Sequence, residues 1–175
     1  MEPRPPDHDA SAAERERMVT TQLRSRGVAD ERVLAAILAV PREAFVPPAL
    51  RRAAYADDAL PIEAGQTISQ PYIVARMTEL LAVEPGTRVL DVGTGSGYQA
   101  AILATLGCRV TSIERHDSLA DSARRRLARF GYGDRIEIVV GDGSLGWPAG
   151  APWDGILVAA AAPAVPPSLR GQLGL

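Results

Sequence analysis

The chain has 175 residues, 46% of them hydrophobic and 23% charged, the size and balance of one globular domain with a buried core. A formal charge of −2 gives no electrostatic footprint for nucleic acid, and because all 19 basic residues are arginine there is no lysine for a P-loop or a Schiff base. Cys108 stands alone and His8 and His116 lie far apart in sequence, which excludes an internal disulfide and argues against a zinc centre, so no metal is expected.

Residues 1–12 are polar and Pro-rich and are predicted to be a disordered tail. They hold no apolar stretch of the secretory kind, and the longest apolar run, from Ile156 to Val165, is about half a membrane span, so a cytoplasmic protein is expected. A helix is predicted over residues 12–26, with Gly27 as a left-handed cap. Asp30 can cap a second helix that places Val33, Ile37 and Leu38 on one side before Pro41 ends it. Residues 41–67 are rich in turn formers and read as irregular structure. Pro71 suits a first helical position, and a helix follows through Leu81 to the Pro85-Gly86 turn.

From Arg88 onward short apolar runs alternate with amphipathic stretches, the signature of βαβ units and a parallel sheet. Strands are predicted at Arg88–Val92, Arg109–Glu114, Ile136–Val140 and residues 154–160. Helices are predicted over residues 98–106 and 117–130, the second carrying Leu119, Ala123 and Leu127 on one face.

The most informative stretch is Val89-Leu90-Asp91-Val92-Gly93-Thr94-Gly95-Ser96-Gly97-Tyr98, an apolar strand that runs into alternate glycines and then a helix. Tight turns and close approach of a ligand to the main chain both require glycine. A dinucleotide fingerprint would place its third glycine at Tyr98. The spacing found here is that of S-adenosylmethionine sites, although a glycine loop alone is equally readable as a structural turn. Two acids add weight. Glu114 ends the second predicted strand, where a carboxylate can accept ribose hydroxyls, and Asp142, in Gly141-Asp142-Gly143, follows the third, where one can meet an adenine amino group. Each acid alone is also readable as a turn residue, Asp142 through an Asx-turn. A separate cluster, Gly65-Gln66-Thr67-Ile68-Ser69-Gln70-Pro71, places Ser69 or Gln70 at the cap of the helix opening at Pro71 and leaves a second role open for Ser69, a hydroxyl offered to a substrate.

Three stretches together resemble the protein-L-isoaspartate O-methyltransferase family: Val40-Pro41-Arg42-Glu43-Ala44-Phe45-Val46-Pro47, the segment ending Gln66-Thr67-Ile68-Ser69-Gln70-Pro71, and the glycine loop through Gln99. The likeness continues through Ser112-Ile113-Glu114-Arg115, Gly141-Asp142-Gly143, Gly146-Trp147-Pro148 and Ala160-Ala161-Ala162-Pro163. It implies an α/β fold, the Rossmann-like parallel sheet of a class I methyltransferase with an N-terminal helical extension. Residues 13–87 would form the helical and substrate-binding segment and residues 88–175 the cofactor-binding core, with the first predicted strand flanked by the second and fourth and the third outermost. The resemblance further implies that S-adenosyl-L-methionine is the cofactor, bound by Asp91, Gly93, Gly95, Gly97, Glu114, Asp142 and Gly143. Ser69 would be the catalytic serine, with Thr67, Ile68 and Gln70 contacting the substrate, an isoaspartyl protein or peptide.

The sequence departs from the family pattern at Glu63 and Ala64, where small or glycine-like residues are usual, and at Ala159, where a hydroxyl is common. The family also has three further strands after the fourth, so the chain is expected to be C-terminally truncated and, through the open edge of residues 154–160, either to self-associate or to be marginally stable, with at most weak activity. Two other readings stand beside repair of isoaspartate: methylation of aspartate in one dedicated precursor peptide, and a truncated pseudoenzyme that binds cofactor without turnover.

Overall fold

In the computed structural model the described residues are 8–161 and 164–174, with side chains described from residue 11. Residues 1–7 of the expected tail, and Ala162 and Pro163, lie outside them. Helix α1 (His8–Met18) begins inside the stretch expected to be disordered. The single helix predicted over residues 12–26 is three pieces: α1, a π-helical turn at Val19–Leu23 and a 3-10 turn at Arg24–Arg26, closed by Gly27 at φ 87°. The Thr21 hydroxyl donates to the Arg17 carbonyl at 2.8 Å and that of Ser25 to the Thr21 carbonyl at 2.5 Å. Such back-bonds compete with the amide ladder and disturb helix regularity. Helix α2 (Glu31–Ala39) is capped as expected by Asp30, whose carboxylate accepts from the N–H groups of Arg32 and Val33. It buries Val33 and Ile37 fully and Leu38 only in part.

Residues 41–67 are more ordered than their turn formers suggest. They contain 3-10 turns at Arg42–Phe45, Pro48–Ala53 and Glu63–Gly65, and strands β1 (Leu60–Pro61) and β2 (Thr67–Ile68) pair antiparallel. A two-residue strand offers no alternation to read in sequence. What holds the segment is a buried cation: Arg42 is wholly buried, its Nε donates to the Ala54 carbonyl at 2.8 Å, and its guanidinium lies 5.2 Å from the centre of the Tyr98 ring. Burial pulls the Arg42 pKa below its ordinary value, with the charges of Tyr98, Tyr55 and Asp57 opposing that shift.

Helix α3 (Pro71–Leu81) leads to the main sheet of β3 (Arg88–Val92), β4 (Arg109–Glu114), β5 (Ile136–Val140) and β6 (Gly155–Val158). Between the strands run α4 (Tyr98–Thr105) and α5 (Asp117–Arg129), and α6 (Pro167–Arg170) follows β6. All pairings are parallel and the order is β5-β4-β3-β6, which agrees with the order that the family resemblance implies. β6 is shorter than the predicted strand. Its ladder stops at Ala159, whose N–H still donates to the Val92 carbonyl at 2.8 Å.

Residues 89–92 of the central strand β3 are all buried, as in a sheet covered on both faces. One apolar cluster runs from Met18 and Val19 through Val33, Phe45, Val74 and Ile102 to Leu127 and Ile138, crossing the division at residue 87. A smaller cluster of Leu90, Val92, Ile113, Val139, Trp153 and Leu169 occupies the other face of the sheet. Among the described residues no helix is long and apolar enough to cross a membrane.

Candidate functional site

The loop between β3 and α4 is built by left-handed glycines, Gly93, Gly95 and Gly97, at φ 99°, 52° and 88°. At Gly97, the residue before α4, a Cβ would also stand 3.2 Å from Cδ1 of Leu127 on α5, so glycine serves both the turn and the packing of one helix on the next. The direction of the loop amides decides what it can hold. Gly93 and Thr94 donate to the Ile113 carbonyl at 2.9 and 3.1 Å, Gly95 to Glu114 Oε2 at 2.9 Å, and Gly97 to the Thr94 carbonyl at 2.8 Å. A phosphate cradle turns such N–H groups toward the ligand. Here they are spent within the protein, which agrees with the glycine spacing in arguing against a dinucleotide.

Beneath the loop lies a buried polar chain. Thr94 Oγ1 is 2.6 Å from Ser112 Oγ, which donates to Asp91 Oδ2 at 2.8 Å. The other Asp91 oxygen is buried without a partner among the described residues. Burial raises the Asp91 pKa to about 7, the Ser112 hydrogen bond opposes the rise, and the Glu114 charge adds to it. An ionised carboxylate with a free lone pair suits a cationic or hydrogen-bond-donating group, and a sulfonium cofactor with an ammonium end fits that requirement.

Ser69 sits between β2 and α3, and the structure removes the cap reading. The cap residue of α3 is Gln70, no side chain of its own bonds the first turn, and the Tyr72 N–H is met from a distance by Asp57 Oδ1 at 3.3 Å. Ser69 instead lines a cavity of about 30 Å³ shared by Thr67, Ile68, Gly93, Gly95 and Gln99. The serine segment and the glycine loop therefore meet at one place.

The remaining predicted residues do not line this cavity. Asp91 lies under the loop, and Gly97 serves the start of α4. Glu114, almost fully buried, fixes the loop from behind, with Oε1 accepting from His116 N–H at 3.0 Å and Oε2 from Gly95. Each oxygen retains one lone pair for a ligand hydroxyl. Asp142 is exposed and its Oδ1 accepts from Ser144 N–H at 2.9 Å, the turn role open to it from sequence; the Ser144 hydroxyl first and this N–H second hold its pKa below the ordinary value. Gly143 is needed for packing, since a Cβ there would fall 2.5 Å from Cγ1 of Val92. Gln70 is partly buried at the start of α3.

Sequence reasoning missed Val74, Thr94, Ser96, Tyr98 and Gln99, which complete the cavity wall together with Ala159, the position where the sequence departs from the family pattern. Thr94 and Ser96 could have been named from their places between the glycines. The unusual Ala64 adopts φ 55°, a left-handed conformation that glycine takes without strain and that costs another residue roughly 1–2 kcal/mol. Glu63 lies 3.9 Å from Arg126, whose guanidinium also donates to the Ser96 carbonyl at 2.7 Å, so this departure faces the glycine loop.

The family described as protein-L-isoaspartate(D-aspartate) O-methyltransferase matches residues 13–174. A protein-L-isoaspartate O-methyltransferase of Methanoculleus marisnigri is 57% identical over 166 residues, 95% of this chain and 75% of that protein. A solved protein-L-isoaspartate O-methyltransferase superposes with a TM-score of 0.79 at 32% identity, over 91% of this chain and 52% of that one. A methyltransferase of Geobacter sulfurreducens, solved with S-adenosyl-L-homocysteine, is similar over 61% of this chain and 45% of its own, at 26% identity and a TM-score of 0.52. With the parallel sheet, the glycine loop and the serine segment converging on one cavity, and with relatives matched over nearly the whole chain, the protein belongs to the protein-L-isoaspartate O-methyltransferase family.

Proposed function

We propose that the chain transfers a methyl group from S-adenosyl-L-methionine to the free carboxylate of L-isoaspartyl or D-aspartyl residues in damaged proteins and peptides. The observation that carries this reading is the cavity lined at once by Ser69 and by Gly93–Ser96. A bound sulfonium supplies the electrophilic methyl carbon. The acceptor carboxylate is already ionised at neutral pH and needs no general base, so the protein's contribution is positioning, worth ~7–11 kcal/mol when reacting atoms are held near attack distance. Ser69 would donate its hydroxyl to that carboxylate and orient it, flanked by Thr67, Ile68 and Gln70. Asp91, beneath the loop, would balance the cofactor's positive charge, and Glu114 would accept from ribose hydroxyls. Asp142 and Gly143 would border the adenine. The product ester cyclises to a succinimide without further help from the protein.

Methyl transfer to an isoaspartyl peptide, with none to the same peptide carrying normal aspartate, is the expected assay result. Equal transfer to both would favour the dedicated-precursor reading instead. The partners in this proposal are isoaspartyl proteins and peptides, without nucleic acid or membrane, in a cytoplasmic setting. Self-association along the outer edge of β6 belongs to it as well. Among the described residues only Leu173 bridges Trp153 on that side, and sedimentation of the purified chain as a monomer would remove this last element.

Asp91 gives the free protein a pH signature. Its pKa is raised from 3.8 to about 7 in the folded protein, so between those values the folded state binds more protons than the unfolded one, and stability falls as pH rises. The loss is a few kcal/mol at most. Thermal melting between pH 5 and 8 should show this decline in the wild type and a flatter profile in Asp91→Asn. Identical slopes would mean that Asp91 is ionised throughout.

A further inference from the structure

Gln99, in the first turn of α4, lines the same cavity and is only 6% exposed. Its amide orientation is dictated by a neighbour on α3. Thr78 Oγ1 donates its single hydrogen to the Val74 carbonyl at 2.8 Å, so toward Gln99 it can only accept. The Gln99 Nε2 therefore faces it, at 2.9 Å, and Oε1 is turned away, buried and without a partner among the described residues. A buried carbonyl oxygen without a hydrogen bond is costly, and an α3–α4 contact that leaves one on a residue lining a cavity prepares an acceptor for a ligand.

The surroundings define the ligand group. The amides of Gly93, Thr94, Gly95 and Gly97 are committed within the protein, and the nearby unpaired acceptor under the loop is a carboxylate oxygen, Asp91 Oδ1. The acceptor carboxylate of the substrate has no proton to give and is the group Ser69 would hold, so it cannot satisfy Gln99. Resting on the cofactor reading above, we propose that Gln99 is a further binding residue of this site, its Oε1 accepting a hydrogen bond from the protonated α-amino group at the amino-acid end of the methyl donor. Thr78 is the positioning residue that keeps the oxygen turned to it.

Calorimetric titration with S-adenosyl-L-homocysteine and with its deaminated analogue, in which hydrogen replaces the α-amino group, tests the assignment. The wild-type chain should bind the amine-bearing nucleoside about tenfold or more tightly than the analogue, the worth of one charge-assisted hydrogen bond. Gln99→Met, similar in volume but without the acceptor, should cut that preference about fivefold or more by losing that bond, any remainder being due to the Asp91 carboxylate. Thr78→Val, outside the cavity wall, should reduce the preference to an intermediate value. An undiminished preference in folded Gln99→Met, or in Thr78→Val should the first variant fail to fold, overturns the proposal and leaves the cofactor reading intact. Equal wild-type affinity for the two nucleosides has the same effect. Failure of the wild type to bind either would overturn both readings.

Discussion

Ser69→Ala is expected to lower turnover of an isoaspartyl peptide on the order of a hundredfold, the usual effect of deleting one oriented hydrogen-bond donor, with S-adenosyl-L-homocysteine affinity within about twofold of wild type. Ser69 has no part in holding the fold. The cap position of α3 belongs to Gln70, and the Tyr72 N–H is bonded by Asp57, so removing the hydroxyl leaves the helix start as it was. Melting temperature should stay close to that of the wild type. Nor does the hydroxyl support the glycine loop, whose amides are held by β4 and Glu114. Steady-state kinetics that show unchanged turnover would remove Ser69 from the reaction and leave it merely a wall of the cavity.

The second large effect belongs to Glu114. Glu114→Ala deletes the acceptor of two backbone N–H groups, Gly95 and His116, as well as the proposed ribose contact, and should weaken S-adenosyl-L-homocysteine binding by ~3 kcal/mol, roughly a hundredfold. Asp142→Ala should cost less than about tenfold, because that carboxylate is exposed and its one observed bond closes a local turn. The two acids occupy equivalent places in the sequence pattern, each at the end of a strand. They differ in burial, and burial sets the rank. Calorimetry that finds equal losses for both variants would contradict this ordering.

The parallel sheet was legible because its strands alternate with amphipathic helices, and three of the four have the boundaries read from sequence, β3, β4 and β5. β6 was read too long because apolar character continues past Val158 although its ladder does not. The N-terminal half was harder to read. The two-residue β1–β2 pair has no periodicity, the π turn depends on hydroxyl back-bonds, and the order of residues 41–58 depends on where one arginine is buried. At the site, Ser69 and the glycines carry local signals of their own. Gln99 ends the glycine-loop motif, but its significance lies in the hydrogen that Thr78 gives to Val74 and in the Thr78–Gln99 contact between α3 and α4, which no spacing along the chain encodes.

Met18, Val33 and Phe45 pack in the same apolar cluster as Ile102, Leu127 and Ile138, so neither half of the molecule can open without stripping the other of its interior. The wall that would hold the peptide and the wall that would hold the nucleoside therefore share a single cooperative unfolding transition. A cavity made in α2 reaches the glycine loop as fewer folded molecules, each with its affinity intact. Substitutions far from the site would lower the amount of competent enzyme and leave its binding constants as they were.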